Sequence, residues 1–384
     1  MTVNIRMPDA QLGDKDLDDE YITDAWLVDQ HVGNVLFSWG DNYAGCLGDG
    51  TTTDRSSPVQ VGTLVNWKQV SAGYQYSVAI KNDGTLWSWG WNFFGQLGHG
   101  DTANRGSPVQ VGSDSNWKQI SIGYRTSLAI KTNGTLWGWG ENDGGALGLG
   151  DTANRSNPVQ VGTETNWKSV FSSGYYAWAI KNDGTLWSLG GFNNQGQLAQ
   201  GDTTFRSSPV QVGSLTNWRH ISEGMAIKTD GTLWAWGANS QGQLGLGDTV
   251  DRSSPVQVGT LTNWKNISAY GSTCQAIKTD GTLWAWGANS QGQLGLGDRT
   301  NRSSPVQVGT LSNWKQVGIG VQFTMAIKND GTLWAWGGGF INNGQLGLGN
   351  TVNYSSPVQV GSLTNWKQVA GGDSHTLAIT YREI

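Results

Sequence analysis

The sequence predicts an all-β fold: a seven-bladed β-propeller of four-stranded antiparallel blades, closed by pairing strands from the two ends of the chain. Three observations lead there. One unit recurs seven times, each copy parses into four short strands, and the two chain ends carry complementary halves of one unit.

The recurrence is read first, because a fixed period of this length marks a repeat architecture. Pro-Val-Gln-Val-Gly returns at Pro58, Pro108, Pro158, Pro209, Pro255, Pro305 and Pro357, and each is followed by an Asn-Trp pair. A Leu-Trp-x-Trp-Gly strand recurs at Trp87, Trp137, Trp234, Trp284 and Trp334. The fourth copy has Leu189 in place of the second Trp, and the first copy reads Phe37-Ser38-Trp39-Gly40. In the second copy the strands are expected at 68–72, 76–81, 85–90 and 108–112, each β-branched or aromatic and bounded by Gly, Asn or Asp. Asn82-Asp83-Gly84 between the second and third is a hairpin signal, with Gly in the positive-φ position.

Closure follows from the ends. The chain finishes on a second-strand sequence (375–380) with no Asp-Gly-Thr after it, and its first copy opens on a third-strand sequence (35–40). Joined, they complete a blade and remove exposed sheet edges. The 22 Trp then have a structural use. A period of two puts both Trp of Trp87-Ser88-Trp89 on one sheet face, and the residue between is always small. A bulky face meeting a small one lets blades stack around an axis.

Bulk properties exclude several classes. The net charge of −5 is uneven: residues 1–32 hold eight acids against Arg6 and Lys15. That divides the chain into an acidic arm (1–32) and a near-neutral propeller (33–384), with no footprint for nucleic acid. Two cysteines cannot staple a chain of 384 residues, so Cys46 and Cys274 are read as free thiols. A secretory signal is not visible, and no stretch approaches the roughly 18 apolar residues of a membrane helix. The expectation is a protein without membrane insertion.

Strand alternation puts the loops joining strands one–two and three–four on one face of the ring. The other two loop types lie on the opposite face and are constant in length between copies, so that face is read as scaffold. Every insertion and deletion falls on the first face: one residue gained around 191–195, four lost at Ser222-Glu223-Gly224-Met225, two gained around 338–343. Large unmatched residues gather there: Tyr74, Tyr76, Trp91, Phe93, Phe94, Tyr124, Arg125, Tyr175, Tyr176, Phe192, Tyr270, Phe323 and Phe340. Aromatics with an Arg on a rigid scaffold have the chemistry of interface anchors, so these are the candidate partner-binding residues. In the arm, Tyr21, Ile22, Trp26 and Leu27 are candidate apolar anchors for docking.

Chemistry finds little support. The four His lie in unrelated contexts, without zinc spacing. No Walker pattern is present. The repeated Asp-Thr-x-x-Arg (Asp101/Arg105 and its copies) reads as an Asx turn closed by Arg rather than a cation ring. Catalytic residues, metal ligands and cofactors are all expected to be absent.

Asn92-Phe93-Phe94-Gly95-Gln96-Leu97-Gly98 and Asn239-Ser240-Gln241-Gly242-Gln243-Leu244-Gly245, followed by Pro-Val-Gln-Val and Ser-x-Gly-x-x-x-Ser-x-Ala-Ile, resemble the regulator of chromosome condensation repeat family over about 33–384. The resemblance implies a seven-bladed propeller. Nucleotide-exchange members carry a basic tail and a projecting wedge; this arm is acidic and no insertion is that long. The plant ultraviolet photoreceptors carry Trp in the strand one–two loops, where Tyr74, Tyr124 and Tyr175 stand here. The β-lactamase inhibitory branch uses aromatics of this same loop, which implies contacts at Tyr74, Tyr76, Tyr124, Tyr175 and Tyr176. Segments 231–248 and 281–298 are identical. Such near-identical copies behind an acidic arm also resemble virion propellers of bacterial viruses, notably cyanophages. The expectation is a non-enzymatic virion component, structural or for attachment, located in the virion (alternatively the cytoplasm) and binding other virion proteins or a host surface molecule. A free inhibitor-like binder and, third, an exchange factor stay open.

Overall fold

The computed structural model describes residues 32–383. It contains seven four-stranded antiparallel sheets, six of them contiguous in sequence. Blade two is typical: Trp67–Ala72, Tyr76–Lys81, Leu86–Gly90 and Arg105–Gln110, in that spatial order. Blade one is the composite. Its first two strands are Trp366–Gly371 and His375–Glu383, its last two Val32–Gly40 and Arg55–Val65. The register runs unbroken from Val32 opposite Glu383 to Gly40 opposite His375. The arm anchors Tyr21, Ile22, Trp26 and Leu27 lie outside the described residues.

First strands of successive blades pack against one another all the way round, so they line the axis. Side chains lace them together: Gln69 Nε2 donates to Ile120 O (2.9 Å), and Ser71 Oγ accepts from Ile122 N–H (3.2 Å). Fourth strands are peripheral, half-buried or exposed except at Val61 in the long fourth strand of blade one. They start earlier than the sequence indicates, at Arg105 rather than Pro108, because Arg105 pairs with Gly90 before the ladder breaks and resumes at Val109 opposite Ser88.

The Trp pattern builds the space between blades. Trp67 meets Trp87 edge-on at 6.1 Å and Trp89 at 6.2 Å, and the same triplet recurs in blades three, five, six and seven. This bulky face of blade two packs on Leu36, Leu377 and Ile379 of blade one. Its other face, with Val78, Ile80 and Leu86, receives Trp117 and Trp139 of blade three. Edge-to-face rings and full burial of several indoles make these seams the main store of stability.

In blades one to six the three–four loop is organised by one buried Asn: Asn42, Asn92, Asn142, Asn193, Asn239 or Asn289. In blade five, Asn239 Oδ1 accepts from Leu244 N–H (2.9 Å) while Nδ2 donates to Asp248 O (3.1 Å) and Val250 O (3.0 Å). Asp248 in turn holds Arg252 at 2.6 Å, and Arg252 caps the Val250 carbonyl, as the Asx-turn reading expects. Replacing Asn239 with Ala strands these buried groups without water, a cost of about 3 kcal/mol that equilibrium urea unfolding will measure.

Candidate partner-binding face

The loops joining strands one–two and three–four meet on one face through main-chain bonds. Trp91 N–H donates to Gln75 O (2.8 Å), tying the two loops of blade two together. Between blades, Tyr74 N–H donates to Tyr124 O (3.1 Å), Tyr124 N–H to Ser173 O (3.3 Å) and Asp373 N–H to Gly73 O (3.2 Å). This belt fixes the loop tips relative to one another, which is what a preorganised contact surface requires.

On the belt lies an aromatic band. Tyr74 and Tyr124 have ring centroids 4.4 Å apart, Tyr124 and Tyr175 stack at 6.0 Å, and Tyr175 meets Phe192 at 4.7 Å. At the other end Tyr74 touches Trp91 (5.7 Å), which packs on Phe93 and Phe94. Arg125 sits in the middle, its guanidinium carbon 4.7 Å from the Tyr124 ring centroid, 4.8 Å from Phe94 and 5.2 Å from Trp91. The buried Glu141 carboxylate holds it at 3.2 Å. A charged, hydrogen-bonded Arg between ring faces locks the band by cation–π attraction. Burial raises the Tyr74 and Tyr175 phenols, which therefore remain neutral hydrogen-bond donors at physiological pH. Phe93 (66% exposed) and Phe192 (48% exposed) project from the ends into solvent. Phe340, at 79%, is exposed on blade seven, away from any ring partner among the described residues.

Four of the candidate residues face inward. Tyr76 and Phe323 are fully buried core residues, not surface contacts. Each follows a Gln in the left-handed region, Gln75 at φ +55° and Gln322 at φ +64°, which reverses the chain and turns the next side chain into the blade seam. Tyr76 donates its O–H to Thr126 O (2.9 Å). Tyr270 and Tyr176 are half-buried against core clusters. The Tyr176 O–H donates to Glu223 Oε1 at 3.1 Å.

Glu223 had no place in the sequence analysis beyond the shortened loop that contains it. Its Oε2 accepts from Gly271 N–H at 2.7 Å, so one carboxylate spans from blade four to blade six where the missing residues leave the belt without backbone. Burial pushes its pKa up to about 7. Exposed apolar residues of the three–four loops were also missed, Tyr43 (74%) and Ile341 (73%) foremost, with Val250, Phe205 and Val352. Tyr43 follows Asn42 as Phe93 follows Asn92, so aligning the copies could have found it.

One buried pair has the composition of a nucleophile and base. His375 Nε2 lies 3.0 Å from Ser77 Oγ, but that hydroxyl donates its proton to Cys46 O at 2.8 Å. The imidazole nitrogen is thereby left as the donor, and both groups are sealed between blades one and two. The pair works as a clasp. Among the described residues no group of three His, Cys, Asp or Glu could hold a metal ion.

The sequence matches the regulator of chromosome condensation (RCC1) repeat seven times, at residues 34–80, 83–130, 133–180, 183–225, 230–274, 280–327 and 330–379. The chain belongs to this repeat family. A second description of the same repeat matches 67–96, 117–146 and 314–345. No curated protein sequence matches. Among solved structures, human WBSCR16 is similar with a TM-score of 0.80 at 20% identity, over 90% of this chain and 98% of that one. Prp20p from Saccharomyces cerevisiae, described with its binding to Gsp1p and histones, gives 0.80 at 20% identity over 91% of each chain. Yeast RCC1 (Prp20) bound to Kap60 gives 0.82 at 18%, over 99% of this chain and 97% of that one. At such identities the likeness concerns the fold. On the loop face of this RCC1-repeat propeller, seven of the thirteen candidates (Tyr74, Trp91, Phe93, Phe94, Tyr124, Tyr175 and Phe192) join Arg125 in one continuous band.

Proposed function

We propose that the chain is a non-enzymatic interaction propeller that captures a protein partner on its aromatic loop face. The carrying observation is the band from Phe93 through Arg125 to Phe192: rigid, ring-rich, fixed by a main-chain belt, and open to solvent at both ends. Large aromatics held in place at low entropic cost are what interface hot spots are made of. Relatives of this fold that engage proteins, such as Prp20p with Gsp1p, histones or Kap60, fit the same general use. Replacing Tyr74, Tyr124 and Tyr175 together by Ala is expected to weaken partner capture at least a hundredfold while the unfolding transition stays cooperative. Capture unchanged in a folded triple variant rejects the reading.

The finer assignment is a structural or attachment component of a virion. It rests on the identical segments 231–248 and 281–298 and on the arm, whose apolar Tyr21, Ile22, Trp26 and Leu27, apart from its acidic run, would seat in the particle while the loop face stays free. A chain without residues 1–32 is expected to fold and to be missing from purified particles. The second reading, a free binder, is favoured by the completeness of the aromatic band within the ring itself; normal particles with the partner still captured would support it. Nucleotide release from a small GTPase is expected to be unchanged by the chain.

A further inference from the structure

The near-neutral charge of the ring conceals a segregation. All twelve lysines after residue 32 stand at strand ends on the scaffold face, opposite the aromatic band. They form two sets. Six end the second strands, where each ammonium lies over a Trp ring, as Lys228 does over Trp234 at 3.5 Å. Two of these are also paired with acids, Lys131 with Asp114 and Lys181 with Glu164.

The other set belongs to the innermost strands. In every blade the ladder between first and second strands slips just after the first Trp, leaving one residue as the unpaired member of a β-bulge. That residue is Lys68, Lys118, Lys168, Arg219, Lys265, Lys315 or Lys367, a cation in all seven copies. Six are exposed and Lys367 is half-buried; among the described residues none forms an ion pair. Because first strands line the axis, the seven ring the mouth of the central channel. Neighbours are within reach of each other: the Arg219 guanidinium donates to Trp264 O (3.1 Å) and Lys265 O (3.2 Å) of the next blade. The Lys367 ammonium is held below its usual range by burial and then by Lys315. The acids of this face, Asp83 and its hairpin counterparts with Asp114 and Glu164, stand beside the second-strand lysines. The seven like charges around the axis are therefore left unpaired among the described residues and cost energy unless an anion covers them.

Residues 1–31 supply that anion. They carry eight acids and join the ring at Val32, which pairs with Glu383 at the far end of a second strand, hence on this same face. Thirty-one residues reach up to roughly 100 Å when extended, against a radius of gyration of about 20 Å for a compact ring of this size. Every position of the ring is accessible to the segment. We propose that the seven-cation ring is a docking site for acidic peptide, occupied in cis by the segment around Asp14–Glu20. The propeller is then two-sided, with an aromatic face for a partner and a cationic mouth covered by its own chain.

Zero-length carbodiimide coupling of the full chain tests this, since it joins a carboxylate to an amine only in contact. Equal amounts of ¹⁴N- and ¹⁵N-labelled protein are mixed beforehand. The expected products link Asp14, Asp16, Asp18, Asp19 or Glu20 to Lys68, Lys118, Lys168, Lys265, Lys315 or Lys367 within single-isotope molecules. Their yield is expected to fall at least tenfold between about 0.05 and 1 M salt, where screening shortens from about 14 Å to about 3 Å. The variants K118E/K168E and D16N/D18N/D19N/E20Q, both checked for an unchanged melting transition, are expected to lose them. Links confined to second-strand lysines, or found mainly between isotopes, would overturn cis docking. So would retardation of a twenty-residue single-stranded DNA by the full chain, which assigns the ring to nucleic acid.

Discussion

A chain lacking residues 375–384 will lose its cooperative unfolding transition. The missing segment contributes the second strand of blade one, whose Leu377, Ala378 and Ile379 are fully buried in the seams on either side. Burying the Leu and the Ile is worth about 1.5–3 kcal/mol each. The loss also orphans two ladders at once, because this strand lies between Val32–Gly40 and Trp366–Gly371. Those strands become unpaired edges at the only point where the ring is not continuous in sequence. Against a typical domain stability of about 5–15 kcal/mol, the combined loss leaves no native state. Tryptophan fluorescence and calorimetry will read it; a transition within a few degrees of the intact chain would show that the ring does not depend on this closure.

Acid will destabilise the fold, chiefly through His375 and His220. Burial lowers both imidazoles from the usual 6.5 to about 4. The unfolded chain then binds more protons than the native one between those values. Their stabilising contribution is fully present above about pH 6.5 and is lost as pH falls toward 4. For His375, sealed between blades one and two, the shift corresponds to about 3 kcal/mol. Glu223 acts in the opposite sense. Its raised pKa of about 7 means its contribution is present below the usual 4.5 and lost as pH rises through 7. His99, half-buried and also lowered, adds to the two buried imidazoles, while Asp373, raised by burial, sides with Glu223; the two largest histidine shifts make stability rise with pH over this range. In urea titrations at successive pH values, His375→Gln is expected to flatten the rise and Glu223→Gln to steepen it. Equal slopes in all three proteins would refute the assignment.

The repeats, the blade grammar and the composite blade were legible because they are periodic, and seven copies average out local exceptions. The Trp seams followed from strand alternation alone. What stayed hidden broke that alternation. Tyr74 and Tyr76 share a parity and look alike in sequence, yet Gln75 in the left-handed region sends one to the surface and the other to the core. Lys68 and its six counterparts look like ordinary solvated residues until the bulge reveals them as a ring. Glu223 became a bridge only because a deletion removed backbone from the belt, and sequence shows the deletion without the partners it leaves. The placement of charge was hidden for a related reason: a sum over the chain has no direction, whereas the ring puts its lysines on one face.

Hydroxyl-radical footprinting of the chain, free and in its purified complex, addresses the aromatic face most directly. Reactive rings are known from their exposure: Phe93, Phe192, Phe205, Tyr43 and Phe340 on the loop face, and Tyr381 at the scaffold end. Capture on the aromatic band predicts strong protection of Phe93 and Phe192 with Tyr381 unchanged. Protection of Tyr381 alone, with Phe93 and Phe192 as reactive as in the free chain, would contradict it.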